Sequence, residues 1–151
     1  MFRGVSNLTL DAKGRLAVPA RYRERLTAAC AGQLVVTIDR GYYLLIYPVP
    51  TWEEIETKLV HLPSLHPQVR ELQRLLVGHA TEVAMDSHGR VLLPPELREF
   101  ARLERDVVLL GLMNKFELWD KATWDVRREE SLAGDHGAGG GLPEELARLS
   151  L

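Results

Sequence analysis

Apolar and polar residues alternate in two segments about half a chain apart, residues 5–10 and residues 80–85. Alternation with a period of two is typical of a strand with one buried face. Each segment leads into an Asp-x-x-Gly sequence, where the aspartate can accept backbone N–H bonds and the glycine can take positive φ. Since a second apolar run follows at residues 15–18 and 90–93, the pattern predicts a tight β-hairpin in each half.

One motif therefore occurs twice, as Asp-x-x-Gly-Arg followed by an apolar residue, any residue, an apolar residue and Pro. The two occurrences read Asp11-Ala12-Lys13-Gly14-Arg15-Leu16-Ala17-Val18-Pro19 and Asp86-Ser87-His88-Gly89-Arg90-Val91-Leu92-Leu93-Pro94. A repeat of this kind indicates two copies of one supersecondary unit, which we call copy one and copy two. Residues 11–15 are called turn one and residues 86–90 turn two.

The repeat continues beyond the motif. Each motif ends in proline, which is tolerated at the first position of a helix, so short helices are predicted at residues 20–26 and 95–101. A second hairpin then follows in each copy, and both hairpins end on an aromatic residue, Tyr47 or Trp119. The strands of these hairpins are predicted at residues 34–38, 42–47, 107–112 and 115–119.

The copies are separated by an amphipathic stretch at residues 67–77, which predicts a connecting helix. After copy two the chain becomes rich in glycine, a composition typical of flexible linkers, and we expect a disordered tail. Its last part, residues 142–151, predicts a marginal helix that needs a partner. The predicted organisation is a first unit, a connecting helix, a second unit and a tail, at residues 1–62, 63–79, 80–130 and 131–151.

Of the 151 residues, 46% are apolar and 26% charged, an ordinary composition for a soluble globular protein. No apolar run approaches the roughly 20 residues of a membrane helix, and the N-terminus lacks a signal-peptide stretch. The single cysteine, Cys30, gives no sign of an oxidising compartment. We therefore expect a cytoplasmic protein without membrane contacts.

Charge is distributed unevenly between the copies. The net charge of −2 argues mildly against nucleic-acid binding, but a total hides local patches. Residues 1–27 hold six basic and two acidic side chains, whereas residues 86–105 hold four of each. Copy one is expected to carry a basic patch and copy two to be neutral. The alternative for the patch is an ordinary solvated, charged helix surface.

Within each turn, the aspartate and the glycine (Asp11 and Gly14, Asp86 and Gly89) are first of all turn residues. Arginine is different, because a turn does not require it. Arg15 could form a surface ion pair with the aspartate, which contributes little to stability. It could equally present a planar fork to phosphate or guanine, with Lys13 either adding a point charge for phosphate or lying solvated.

Other chemistries find less support. The five histidines lack metal-ligand spacing, a single cysteine cannot build a cysteine zinc cluster, and no phosphate-binding P-loop occurs. The two motif aspartates could be imagined as paired catalytic carboxylates, but no nucleophile or cofactor site accompanies them. We therefore predict that the protein is not an enzyme, holds no metal or cofactor and has no small-molecule substrate.

The paired motifs resemble the MraZ family of bacterial transcriptional regulators over roughly residues 1–130. The segments Phe2-Arg3-Gly4, Pro19-Ala20-Arg21-Tyr22-Arg23 and Asn114-Lys115-Phe116-Glu117-Leu118-Trp119-Asp120 also fit that family. The resemblance implies a β-rich α+β fold in which two tandem AbrB-like units form a pseudo-two-fold, swapped-hairpin β-barrel with flanking helices. It also implies a homo-oligomeric ring of several subunits.

The function implied by the resemblance is binding to repeated short elements of double-stranded DNA. These elements would lie in the promoter of the protein's own cell-division and cell-wall gene cluster, so the protein would be associated with the nucleoid. DNA contact is carried over to Arg15 first and Arg90 second, with Lys13 and Arg3 beside them. Two alternatives stay open: an AbrB-like antitoxin that docks a toxin through residues 142–151, and a ring-forming protein with a purely structural role.

Overall fold

A computed structural model of the protein describes residues 1–134 and 144–149. Its fold is α+β, with antiparallel strands and helices between them. The strands are β1 (Phe2–Thr9), β2 (Arg15–Ala17), β3 (Gln33–Ile38), β4 (Leu44–Pro48), β5 (Thr81–Ala84), β6 (Arg90–Leu92), β7 (Asp106–Met113) and β8 (Lys115–Asp120). The helices are α1 (Ala20–Cys30), α2 (Val49–Val60), α3 (Pro67–Leu76), α4 (Pro95–Phe100), α5 (Lys121–Leu132) and α6 (Glu144–Ala147).

Six strands form one sheet in the order β1-β7-β8-β4-β3-β5, and β2 pairs with β6 in a separate two-stranded ribbon. The hairpins predicted from residues 5–10 with 15–18, and from residues 80–85 with 90–93, are therefore wrong. The chain does turn at residues 11–15, but β1 pairs with the eight residues of β7, from Phe2 opposite Met113 to Thr9 opposite Asp106. β2 has only three residues and could not supply hydrogen-bond partners for the backbone N–H and C=O groups of the eight-residue β1.

The pairing exchanges strands between the copies. The second hairpin of each copy, β3–β4 and β7–β8, forms as predicted, and the two hairpins meet through β4 and β8. Each copy's first strand then pairs with the other copy's hairpin, β1 with β7 and β5 with β3. The sheet order is thus symmetric about its centre. Among the described residues β1 and β5 do not pair with each other, so the sheet is not a closed barrel.

Apolar side chains fill both faces of this sheet. Alternation along β3 sends Val36 to one face and Val35 to the other, because successive side chains of a strand point in opposite directions. The larger core lies on the Val36 face, where it also receives the inner face of the ribbon and residues of α1 and α4. The smaller core contains Val35 and Trp52 of α2. The larger core therefore anchors the ribbon to the sheet.

The chain separates into two compact units, Met1–Lys121 and Ala122–Leu151. The first contains both sheets, and its connecting helix α3 lies at Pro67–Leu76, close to the predicted 67–77. In the second, an ion pair joins Arg127 to Glu130 on α5 at 3.6 Å. Of the predicted tail, the glycine-rich residues 135–143 and the terminal residues 150–151 lie outside the described residues. Within the described ranges, every helix is too short or too polar to pass through a membrane.

Candidate nucleic-acid interface

Turn one is organised by a single carboxylate. Asp11 Oδ1 accepts the backbone N–H groups of Lys13 at 3.0 Å and Arg15 at 2.8 Å, while Oδ2 accepts Arg15 Nε–H at 2.6 Å. The Gly14 N–H donates to the Asp11 carbonyl at 2.9 Å, and Gly14 has a φ of +81°. Asp11 therefore both closes the turn and fixes the direction of the arginine side chain.

Turn two repeats this arrangement atom for atom. Asp86 Oδ1 accepts the N–H groups of His88 and Arg90, each at 2.8 Å, and Oδ2 accepts Arg90 Nε–H at 3.1 Å. Gly89 has a φ of +76° and donates to the Asp86 carbonyl at 3.0 Å. The two motifs thus present their arginines in the same way.

Hydrogen bonding to the charged form lowers the pKa of both carboxylates. For Asp11 the main cause is the backbone N–H of Arg15, followed by lesser contributions from the Arg15 side chain and the Lys13 N–H. The pKa of Asp86 is lowered chiefly by the backbone N–H of Arg90. Both turns are therefore set for an ionised aspartate at neutral pH.

This shift predicts a pH dependence for the variant Asp11→Asn. Because the native pKa of Asp11 lies below its usual value of 3.8, its stabilising effect is complete above that value. The effect is lost as the pH falls through the lowered native pKa. Urea unfolding from neutral pH to about pH 3 should show wild type and variant differing most at neutral pH and converging in acid. A difference that stays constant over this range would contradict the assignment.

The ribbon brings both arginines to one surface. In its register Arg15 lies opposite Leu92 and Ala17 opposite Arg90, so these four side chains share the outer face. The central pair, Leu16 and Val91, lies on the inner face and is only 1% exposed. Arg15 and Arg90 thus occupy diagonal corners, with backbones about 7–8 Å apart.

Both arginine side chains remain accessible. The side chain of Arg15 is 27% exposed and that of Arg90 is 33% exposed. Each uses Nε–H to bind its own aspartate, which leaves the terminal N–H groups of the guanidinium to meet a ligand. A two-stranded ribbon fits the major groove of B-DNA, and the arginine fork matches guanine or phosphate.

Two further arginines reach the turns from the opposite copies, and the sequence reading missed them. The guanidinium of Arg98, on α4 of copy two, covers Gly14 so closely that a Cβ there would lie 2.4 Å from its Cζ. Arg23, on α1 of copy one, covers Gly89 in the same way, with 2.4 Å to its Nε. The sequence did carry a signal, because Arg98 follows Arg23 by 75 residues, the offset between the two motifs. Which turn each side chain reaches depends on the strand exchange, which the sequence did not show.

The exchange also determines which charges lie at each turn. Lys13, Arg15 and Arg98 lie at turn one with Asp11, and the adjoining cleft adds Glu104 and Arg105. Turn two gathers Arg90 and Arg23 around Asp86. Because each copy contributes one helix arginine to the other, the exchange leaves the charge balance as counted, and the basic copy one and neutral copy two stay a prediction.

The other two residues predicted to contact DNA, Lys13 and Arg3, lie in different parts of the fold. Lys13 is exposed within turn one, beside Arg15. Arg3 is exposed near the start of β1, and six residues of strand, about 20 Å, separate it from the end of β1 that leads into turn one. The structure thus brings Lys13, Arg15 and Arg90 together on the ribbon but does not bring Arg3 to it. Over the described residues, no group of His, Cys, Asp and Glu side chains could hold a metal ion.

Duplicated units, exchanged first strands and a shared ribbon with two matched arginine turns define a class of tandem-repeat proteins with a pseudo-dyad. The family model that matches this architecture is described as "MraZ protein, putative antitoxin-like", and it matches twice, at residues 1–75 and 76–134. The chain belongs to the MraZ family.

Curated relatives agree with this assignment over the whole chain. A protein of Halorhodospira halophila is 55% identical over 152 residues and covers 100% of both chains. One from Thioalkalivibrio sulfidiphilus is 59% identical over 86% of this chain and 87% of its own, and one from Pseudomonas aeruginosa is 52% identical over 100% of both. Each is named "Transcriptional regulator MraZ", which places the chain among transcriptional regulators.

Proposed function

We propose that this protein regulates transcription by laying its β2–β6 ribbon in the major groove of double-stranded DNA. The observation that carries the proposal is the outer face of the ribbon, where Arg15 and Arg90 stand at diagonal corners, each oriented by its own aspartate. Such preorganisation lowers the entropy lost when a side chain is ordered on binding. Arg15 and Arg90 provide base preference, and Lys13 neutralises phosphate.

The target in this proposal is a set of short repeated elements upstream of the protein's own cell-division and cell-wall gene cluster. The protein then acts in the cytoplasm, on the nucleoid. Residues 1–62 and 80–130 are the two AbrB-like units, and the helix within 63–79 connects them. In this proposal the ribbon bridges the two edge strands of the open sheet, and the whole then approximates a barrel. The contacts of β2 with β1 and of β6 with β5 support this arrangement.

We also propose that several subunits assemble into a ring. A single chain leaves large apolar side chains of α2, α3 and the loop between them exposed, including Val60 at 75% and Leu65 at 88%. Exposed apolar groups of this kind mark interaction surfaces. A ring places several ribbons on successive DNA repeats, so each further contact is intramolecular and the overall affinity rises. Native mass spectrometry should show a closed oligomer, and a monomer at working concentrations would contradict the ring.

The proposed function is tested by fluorescence anisotropy with a duplex from upstream of the gene and a scrambled duplex of equal length. We expect tighter binding to the native duplex, and weaker binding to both as salt rises from about 50 mM to about 200 mM, because phosphate neutralisation releases counterions. Equal weak binding to both duplexes, or none, would overturn the proposal.

A further inference from the structure

We propose that each recognition turn is completed by the other copy, with Arg98 and Arg23 binding DNA phosphates beside turn one and turn two. This inference rests on the proposed function. It assigns a phosphate site made of two elements far apart in the sequence, a motif turn and the helix arginine that covers it. In each site the turn belongs to one copy and the covering arginine belongs to the other.

Both arginines are held in place by the backbone of their own copy. Arg23 Nε–H donates to the Val18 carbonyl at 2.6 Å, and Arg98 Nε–H donates to the Leu93 carbonyl at 3.3 Å. Backbone bonds lock the same residues to the opposite turns, from Val18 N–H to the Gly89 carbonyl and from Leu93 N–H to the Gly14 carbonyl. Each guanidinium is thereby fixed over a turn before any ligand arrives.

The terminal N–H groups of both guanidiniums remain for a ligand. Each side chain commits only its Nε–H to a carbonyl, and within the described part of the chain neither arginine belongs to an ion pair. Both residues are half-buried, and each lines an open cleft. The cleft beside turn one has a volume of about 620 Å³, and its charged lining is Arg98 and Arg105 with Asp11 and Glu104. The cleft beside turn two has a volume of about 550 Å³ and includes Arg23 and Asp86. A planar guanidinium with two free N–H pairs binds phosphate oxygens in a bidentate manner.

The glycines of the motif gain a second role from this arrangement. A positive φ alone favours glycine at positions 14 and 89, but a side chain at either position would also strike the covering guanidinium. The turn is therefore shaped to receive an arginine from the opposite copy. Because the turns lie at opposite ends of the antiparallel ribbon, the two arginines flank it as phosphate contacts on both sides of a groove.

The test compares Arg98→Gln and Arg23→Gln with Arg128→Gln, a matched loss of charge at an exposed position of α5, which is not part of the α2–α3 surface proposed for assembly. A phosphate contact carries no sequence information. Each turn variant should therefore weaken binding to the native and the scrambled duplex by a similar factor, about 5–10-fold, and reduce the slope of log affinity against log salt by about 1 per subunit engaged. Arg128→Gln should leave both the affinity and the slope as in wild type.

The salt slope separates a phosphate contact from a merely structural role. Arg98→Lys keeps the charge but loses the planar fork, so it should retain the wild-type slope while losing part of the affinity. It also serves as the second variant where Arg98→Gln fails to fold. A wild-type slope in Arg98→Gln and Arg23→Gln, or a loss no larger than that of Arg128→Gln, would overturn the inference. Wild-type protein that binds neither duplex would instead overturn the proposed function itself.

Discussion

Replacing Arg15 by alanine is expected to lower affinity for the upstream duplex by at least about 100-fold, as measured by anisotropy. A good bidentate contact to a base contributes ~1–3 kcal/mol, and an oligomer loses one such contact for every subunit on the DNA. Asp11 holds the Arg15 side chain in place, whereas the nearby Arg98 guanidinium is tied to the Leu93 carbonyl over Gly14 and does not occupy the outer face of the ribbon in place of Arg15. The effect should exceed that of Arg90→Ala, because turn one gathers more cations than turn two.

The matched control is Arg15→Lys, which retains the charge but not the fork. It should bind the scrambled duplex nearly as well as wild type does, while losing preference for the native one. Native mass spectrometry on each variant checks that the assembly is unchanged. Arg15→Ala with wild-type affinity and an intact assembly would show that the ribbon does not read DNA through this residue.

The second large effect is on stability and distinguishes two adjacent leucines. Leu93 is 0% exposed and belongs to the larger core, whereas Leu92 is 55% exposed on the outer face of the ribbon. Leu93→Ala should lower the free energy of unfolding by ~2–5 kcal/mol, because it leaves a cavity between the ribbon and the sheet. Leu92→Ala should change it by less than about 0.5 kcal/mol.

Urea unfolding of both variants at one protein concentration measures this difference, since a shared concentration removes the effect of assembly on apparent stability. Anisotropy on the same samples is a second readout. Leu92 occupies a third corner of the outer face, opposite Arg15 and two residues from Arg90, so Leu92→Ala should weaken DNA binding while leaving the fold intact. Equal destabilisation by the two substitutions would show that the ribbon is not packed as described.

Local features of the fold could be predicted from the sequence, and distant pairings could not. The hairpins β3–β4 and β7–β8 were predicted because both strands and the turn of each are contiguous. The Asp-x-x-Gly turns formed for the same reason. The partners of β1 and β5 were predicted wrongly, because alternation shows that a strand has a buried face but does not say which strand lies beside it.

The residues of the candidate site also differ in whether they could be predicted from local sequence or depend on distant strand pairing. Arg15 and Arg90 could be found from the motif alone, since they belong to the repeated pattern, and Lys13 could be found from its charge beside Arg15. Arg23 and Arg98 could not, because each covers a turn that is distant in sequence and is brought near only by the strand exchange. Counting charges segment by segment gives the balance of each copy, but it does not show which turn an arginine covers.

Fusing two units into one chain also frees them from having to be identical. Two separate copies of one unit present the same residues at both ends of a ribbon and so favour palindromic DNA. Here the two ends differ, with Lys13 where turn two has His88, and Ala17 where β6 has Leu92. The two ends of such a ribbon are not equivalent, and a ribbon that binds DNA as proposed above would distinguish one direction of the duplex from the other.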